Sequence, residues 1–156
     1  MLIEQANVAD AQEILALQKL AYQSEAAIYN DYTLPPLMET LDAIRAEFAR
    51  QTFLKAISDG KIVGSVRAYV MDGTCHIGRL LVHPERQNRG IGTKLMQAIE
   101  QHFQDARRFE LFTGCKSERN LYLYQKLGYR IFKRDDSNRN VGLVYLEKSR
   151  VNGVKP

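Results

Sequence analysis

The stretch Arg79-Leu80-Leu81-Val82-His83-Pro84-Glu85-Arg86-Gln87-Asn88-Arg89-Gly90-Ile91-Gly92-Thr93-Lys94-Leu95 decides how the rest of the chain is read. An apolar strand, Leu80 to Val82, runs into a polar loop. Two glycines then carry the loop into an amphipathic helix, with Ile91, Leu95, Ala98, Ile99 and Phe103 on one stripe. Backbone N–H groups at a helix start have no intrahelical partner, and the helix dipole adds partial positive charge there, so the turn suits an anion such as a diphosphate. Gly90 and Gly92 let the main chain approach phosphate oxygens with no β-carbon in the way. Two nucleotide turns fail on residues. Gly92 is followed by Thr93-Lys94, the wrong order and spacing for G-x-x-x-x-G-K-[ST], and Leu95 stands at the third glycine of G-x-G-x-x-G.

Upstream of the turn the hydrophobic period is two. Phe53 to Ser58 and Lys61 to Met71 are rich in β-branched and aromatic residues, and Asp59-Gly60 between them is a tight-hairpin dipeptide. Asp72-Gly73 repeats the signal before Thr74 to Val82, which predicts a three-stranded antiparallel meander ending at the turn. Earlier still, Leu2 to Ala6 reads as a short strand, and Asn7 with Asp10 as a helix N-cap signal. Ile14, Leu17, Leu20 and Ala21 share a helical face, Tyr22 to Pro36 reads as a helix end or irregular connection, and Leu37, Leu41, Ile44 and Phe48 restore helical spacing. Downstream, Arg108 to Thr113 predicts a strand and Ser117 to Leu127 a helix closed by Gly128. Tyr129 to Lys133 and Val141 to Glu147 predict closing strands joined by the polar loop 134–140.

A chain of 156 residues, 45% of them apolar, suits one core, so residues 1–148 are expected to form a single domain with a tail over 149–156. The first residues carry an early acid and no apolar run, so neither a signal peptide nor a membrane span is expected and the cytoplasm is the expected location. Cys75 and Cys115 are then reduced thiols, and no metal site is expected, because His83 and His102 converge neither with each other nor with a cysteine. The net charge of +4 suits an anionic ligand, but no basic cluster is interleaved with aromatics as nucleic-acid binding requires.

The pattern Q/R-x-x-G-x-G/A, met by Gln87, Gly90 and Gly92 after Leu-Leu-Val-His-Pro-Glu, resembles the acyl-coenzyme A turn of the GNAT superfamily of N-acetyltransferases. The resemblance continues through Asn120-Leu121-Tyr122-Leu123-Tyr124-Gln125-Lys126-Leu127-Gly128-Tyr129, which is similar to that superfamily's late "N…LYxKLGF" segment. Together the matching parts run over about residues 50 to 133. The resemblance implies an α/β (α+β) fold, a mostly antiparallel central sheet of six to seven strands with about four flanking helices, splayed into a V between the fourth and fifth strands. It implies acetyl-coenzyme A as co-substrate, with Gln87, Asn88, Arg89, Gly90, Ile91, Gly92 and Thr93 on the diphosphate and the strand Leu80, Leu81, Val82 along the pantetheine arm. By the same resemblance Asn120 hydrogen-bonds a pantetheine amide, and Tyr124, one helical turn later, gives a proton to the departing thiolate.

A phenol suits that task because its ordinary pKa of about 10 keeps it protonated at neutral pH. An alkyl-amine acceptor, with a pKa of about 10.4, is roughly a thousandth free base at pH 7, so a base or a water path is worthwhile. His76 falls where several relatives carry a glutamate base on the same strand, and it shares a face with Leu80 and Val82 if alternation runs unbroken past Gly78, a position compatible with a bulge. The expected chemistry is direct attack by a small-molecule or peptide amine in a ternary complex. A covalent route through Cys115 is the lesser alternative. Glu25, Asp31 and Glu39, with Tyr29 and Tyr32, fall in the segment that often covers the acceptor side, and read first as solvated acids. The rival readings are an acyl-coenzyme A-binding module without catalysis and a basic nucleic-acid-binding domain. A monomer and a homodimer both fit, and the identity of the amine stays open.

Overall fold

The computed structural model describes residues 1–137 and 140–149. Seven strands form one sheet in the order β1-β2-β3-β4-β5-β7-β6, with β1 Leu2–Gln5, β2 Thr52–Ser58, β3 Lys61–Met71, β4 Thr74–Val82, β5 Arg108–Gly114, β6 Arg130–Asp135 and β7 Leu143–Ser149. Every neighbouring pair is antiparallel except β4 and β5. The helices are α1 Ala11–Ala21, α2 Gln23–Tyr29, α3 Pro35–Met38, α4 Leu41–Glu47, α5 Ile91–His102 and α6 Glu118–Lys126. The expected mixed, mostly antiparallel sheet is therefore present. The expected tail from 149 lies, apart from Ser149 in β7, outside the described residues; of the expected loop 134–140, Arg134 and Asp135 extend β6 and 138–139 lie outside them.

The meander follows from its turns. Asp59 and Gly60, at φ 53° and 75°, and Asp72 and Gly73, at 50° and 80°, take the paired left-handed conformation whose twist matches right-twisted strands. The N-cap signal is real as well: Asn7 Oδ1 accepts from Ala9 N–H at 2.9 Å, and Asp10 Oδ2 accepts from Asn7 N–H at 3.0 Å, opening a 3-10 turn ahead of α1.

Three expectations change. Leu20 is exposed on α1, and the buried stripe is Ala11, Ile14, Leu15 and Gln18 with Leu17, because the face follows i, i+3, i+4, i+7 from Ala11. The connection from 22 to 36 is not irregular: α2 occupies 23–29 and closes on Asn30 at φ 49°, and α3 begins with Pro35 at its first turn, where the missing N–H costs nothing. The helical spacing from Leu37 to Phe48 belongs to two helices, because Thr40 takes an extended conformation and its hydroxyl caps α4 by accepting from Ala43 N–H at 3.1 Å.

Two cores hold the sheet between layers. Leu54, Val66, Ile77, Phe109 and Leu146 pack under Ile91, Leu95, Met96, Ile99 and Tyr124 from α5 and α6. Phe53, Ile62 and Leu81 meet Ile14, Leu17 and Ile44 from α1 and α4 on the opposite face. At Gly64 of β3 a β-carbon would stand 2.9 Å from Leu95 and 3.0 Å from Ile91, so the absent side chain is what lets α5 lie against the sheet.

Candidate active site

The β4–β5 ladder joins Thr74, Cys75 and His76 to Arg108, Phe109 and Glu110 and ends there. Beyond that point β4 stays with β3, and β5 with β7, so Ile77–Val82 and Leu111–Gly114 diverge into a V, as expected between the fourth and fifth strands. A bulge shapes the β4 arm. Ser65 pairs with Leu81 and Arg67 with Gly78, so Arg79 and Leu80 together oppose Val66, and Arg79 sits at φ 49°. The extra residue inverts alternation: Cys75 and Ile77 enter the α5–α6 core, then Leu80 and Val82 do, while Leu81 turns into the α1 core. The conditional expectation that His76 shares a face with Leu80 and Val82 is thereby corrected, since the condition, an unbroken strand, is not met.

Two clefts meet in the V and share Ile77, Gly78, Arg79, Leu111 and Phe112. The one of about 230 Å³ contains Leu80, Asn120 and Tyr124 together with Tyr22 and Glu25 from the α1–α2 region. The structure thus brings Asn120 and Tyr124 to one wall, one turn apart on α6. Asn120 Nδ2 donates to Thr113 Oγ1 at 3.3 Å. Tyr124 is 7% exposed, its ring lies 6.2 Å from that of Tyr129, and its hydroxyl has no hydrogen-bond partner among the described residues. Burial pushes its phenol well above the ordinary tyrosine value, and the nearby Tyr22 and Glu25 add to this by disfavouring a second negative charge.

His76 opens instead onto the neighbouring cleft of about 400 Å³, stacked on Tyr69 at 5.0 Å with Nδ1 4.0 Å from Glu110 Oε2. It does not line the cleft that holds Tyr124. Cys115 is half-buried under Gly142, and burial pushes the thiol of Cys75 up to about 12.

The loop 87–93 lies where β4 hands over to α5. Asn88 at φ 64° and Gly90 at φ 83° turn the chain, and Gly90 caps α5 with no side-chain bond. The first intrahelical bond runs from Lys94 N–H to Gly90 O at 3.0 Å, so the N–H groups of Ile91, Gly92 and Thr93 point out of the helix end unclaimed by it. A β-carbon on Gly92 would stand 3.3 Å from Leu123 and 3.7 Å from Leu80 and Val82, so the helix start rests directly on the β4 arm and α6. The loop is tied down from both sides: Arg119 donates to Asn88 Oδ1 at 3.2 Å, and Arg86 donates to Ser58 at 3.1 Å. Of the expected cofactor residues, Leu81 and Ile91 bury their side chains in the two cores and offer main chain only, while Arg89 is exposed.

Sequence reasoning missed two buried polar networks. Glu39 is not a solvated acid: Arg67 donates to both of its carboxylate oxygens, at 3.1 and 2.9 Å, and Gln18 Nε2 donates to one at 2.8 Å. In the second network Ser117 donates to Glu25, so Tyr29 donates to Ser117 Oγ, at 2.9 Å, while accepting from Lys116 N–H at 2.8 Å. The Tyr29 ring fills the space that a side chain on Gly114 would need. A polar residue on a helix's apolar stripe, Gln18, was the one available signal for the first network; the second left none.

A sheet split between its fourth and fifth strands, with a bare helix start beside the opening, defines the acetyltransferase class of α/β fold. A model of the acetyltransferase (GNAT) family matches residues 13–129, and the chain belongs to that family. It is 32% identical over 120 residues, 77% of its length, to the UPF0157 protein YqkA of Bacillus subtilis (strain 168), and spans 34% of that relative's length. In fold it is similar to smu.2055 of Streptococcus mutans UA159, with a TM-score of 0.82 at 18% identity over 96% of this chain and 99% of that one. It is similar likewise to yncA of Salmonella typhimurium, whose structure holds acetyl-CoA as its cofactor, with a TM-score of 0.74 at 20% identity over 100% and 97% of the two chains.

Proposed function

We propose that this chain is an N-acetyltransferase that moves the acetyl group of acetyl-coenzyme A to a primary amine by direct attack in a ternary complex. The carrying observation is the position of the buried Tyr124, whose hydroxyl has no hydrogen-bond partner among the described residues, in the cleft where β4 and β5 part. Acetyl-coenzyme A supplies an activated thioester. The residues present fit it: the N–H groups of Ile91, Gly92 and Thr93 receive its diphosphate, and the β4 arm, freed from β5, offers main-chain groups to the pantetheine arm as a strand would.

Tyr124 then donates its proton to the departing sulfur. The upward displacement of its pKa keeps the acid in its donating form at every physiological pH. Asn120, held by Thr113, orients the arm. His76, in the adjoining cleft with Glu110 beside it, serves as the base for the acceptor's proton through water, since it lies outside the cleft of Tyr124. Cys115 takes no covalent part. The protein acts without a metal, without nucleic acid, and in the cytoplasm, as a monomer or homodimer.

The test is thiol release from acetyl-coenzyme A across a panel of amines, with calorimetry of coenzyme A binding. Tyr124→Phe is expected to bind normally and lose about 100-fold or more in kcat. Equal and negligible release from both proteins would make the chain a binding module, and abolished turnover in Cys115→Ala with binding intact would restore the covalent route.

A further inference from the structure

Arg79 is a charged side chain whose partners do not balance it. It stands on the bulge of β4 in a left-handed conformation that non-glycine residues rarely take, and that conformation belongs to the one position lining both clefts immediately before Leu80. Among the described residues its Nε is buried with no hydrogen-bond partner, and its single ionic contact is Glu39 Oε1 at 3.7 Å. Glu39 is already engaged by two donors of Arg67 and one of Gln18. Two guanidinium groups therefore share one carboxylate, which leaves Arg79 without a carboxylate of its own. The terminal nitrogens of Arg79 make no hydrogen bond among the described residues and, unlike Nε, are not buried, on a residue that lines both clefts.

The opposite sign lines the same cleft. Glu25 accepts from Ser117 through Oε1, and its second oxygen has no partner among the described residues. A free guanidinium edge and a free carboxylate oxygen thus face one space of about 230 Å³ that also contains Tyr124. An uncompensated guanidinium out of bulk water is costly, and its planar pair of donors matches a carboxylate's two oxygens. A single guanidinium with a carboxylate facing the same cleft matches a ligand that carries one anionic and one cationic group, not a phosphate dianion. The diphosphate of the carrier is accounted for elsewhere, at the far end of the strand, by the start of α5.

Resting on the acetyltransferase reading above, we propose that Arg79 receives a carboxylate of the acceptor while Glu25 receives its ammonium group, so that the substrate is a small amino acid rather than a polyamine or a protein N-terminus. Before transfer one ammonium proton leaves toward water; the freed amine then attacks the thioester carbonyl, the C–S bond breaks as Tyr124 gives its proton to the sulfur, and the second nitrogen proton returns through water to the Tyr124 phenolate as the amide forms.

The experiment compares kcat/KM for free α-amino acids with that for the corresponding α-amino carboxamides. An α-amino group beside an amide titrates at about 7.7 to 8.0, so at pH 7 the amides offer more free amine and intrinsic reactivity favours them. The wild-type protein is expected to prefer the acids by at least about 10-fold, chiefly through KM. In Arg79→Asn, a residue that tolerates the left-handed conformation, the acid-to-amide ratio is expected to fall to about one or below. A wild-type protein that favours amides or polyamines overturns the inference and leaves the acetyltransferase reading standing, and this arm needs no variant to fold. Equal slowing of acids and amides in Arg79→Asn places Arg79 at the acyl carbonyl instead, and also overturns it. Binding of acetyl-coenzyme A with no turnover of any amine removes the broader reading and this inference with it.

Discussion

Arg67 on β3 grips both carboxylate oxygens of Glu39, the first of the two residues between α3 and α4, and so ties the α-helical cover to the sheet beside the V. Both side chains are nearly withdrawn from solvent, at 6% and 10% exposed. Breaking such a pair from one side leaves an uncompensated charge. Glu39→Gln is therefore expected to cost about 3 kcal/mol or more, read from urea denaturation at pH 7. Burial by itself would raise the Glu39 carboxyl, but hydrogen bonds from Arg67 and Gln18 and the charges of Arg67 and Arg79 outweigh it, and the net position is below the ordinary value of 4.5. A depressed carboxyl contributes stability that is complete above its unfolded value and lost as pH falls through the folded one. Wild type should lose stability below pH 4.5 more steeply than Glu39→Gln; parallel curves would show that the pair contributes nothing.

Gly90 and Gly60 have similar positive φ, 83° and 75°, and neither would bring a β-carbon near another atom. Alanine at either is expected to cost about 1 to 2 kcal/mol through conformation alone. Only Gly90→Ala should also weaken coenzyme A binding in calorimetry, because only that turn aims the N–H groups of α5. A matched loss of affinity in both variants would detach the loop from the diphosphate.

Tyr124 should leave no mark on the alkaline side of the pH–rate profile. Its phenol is raised, first by burial and then by Tyr22 and Glu25, so the protonated acid persists beyond the ordinary value of about 10. Rate is expected to hold or rise with pH to about 10 as the amine is freed. An alkaline fall centred below pH 9 that vanishes in Tyr124→Phe would contradict the assignment. The same variant should match wild type in thermal stability, since among the described residues the hydroxyl has no hydrogen bond to lose.

The two thiols should separate by reactivity. Cys75 is fully buried with its thiol pushed up to about 12, so at pH 8 only about one molecule in ten thousand carries the thiolate there. A thiol reagent is expected to label one site per folded chain, Cys115, and two in denaturant. Rapid labelling of Cys75 in the folded protein would show that the α5 face opens readily.

Most of the strand and helix pattern is written locally, and the reason is the range of the forces involved. Asp-Gly dipeptides choose the hairpin twist, Asn7 with Asp10 builds a cap within three residues, and the spacing from Ile91 to Phe103 repeats every turn. The position of Tyr124 one turn after Asn120 is equally local. Other features depend on residues far apart in the chain. The bulge at Arg79 appears only when β4 is paired with β3, because a register is a property of two strands and an extra residue in one has no meaning without the other.

That same slip sends Leu81 and Leu80 to opposite cores and parts His76 from the face of Val82, which no alternation rule applied to one strand could have found. Likewise Glu39 reads as a surface acid until Arg67, 28 residues later, and Gln18, 21 residues earlier, are brought to it. The linear chain determined which segments become strands, helices and the anion-binding turn, because propensity and capping act over a few residues. Tertiary structure alone decided which charges are buried, which face each β4 residue takes and which guanidinium is left over, because burial and pairing are settled only when distant segments pack.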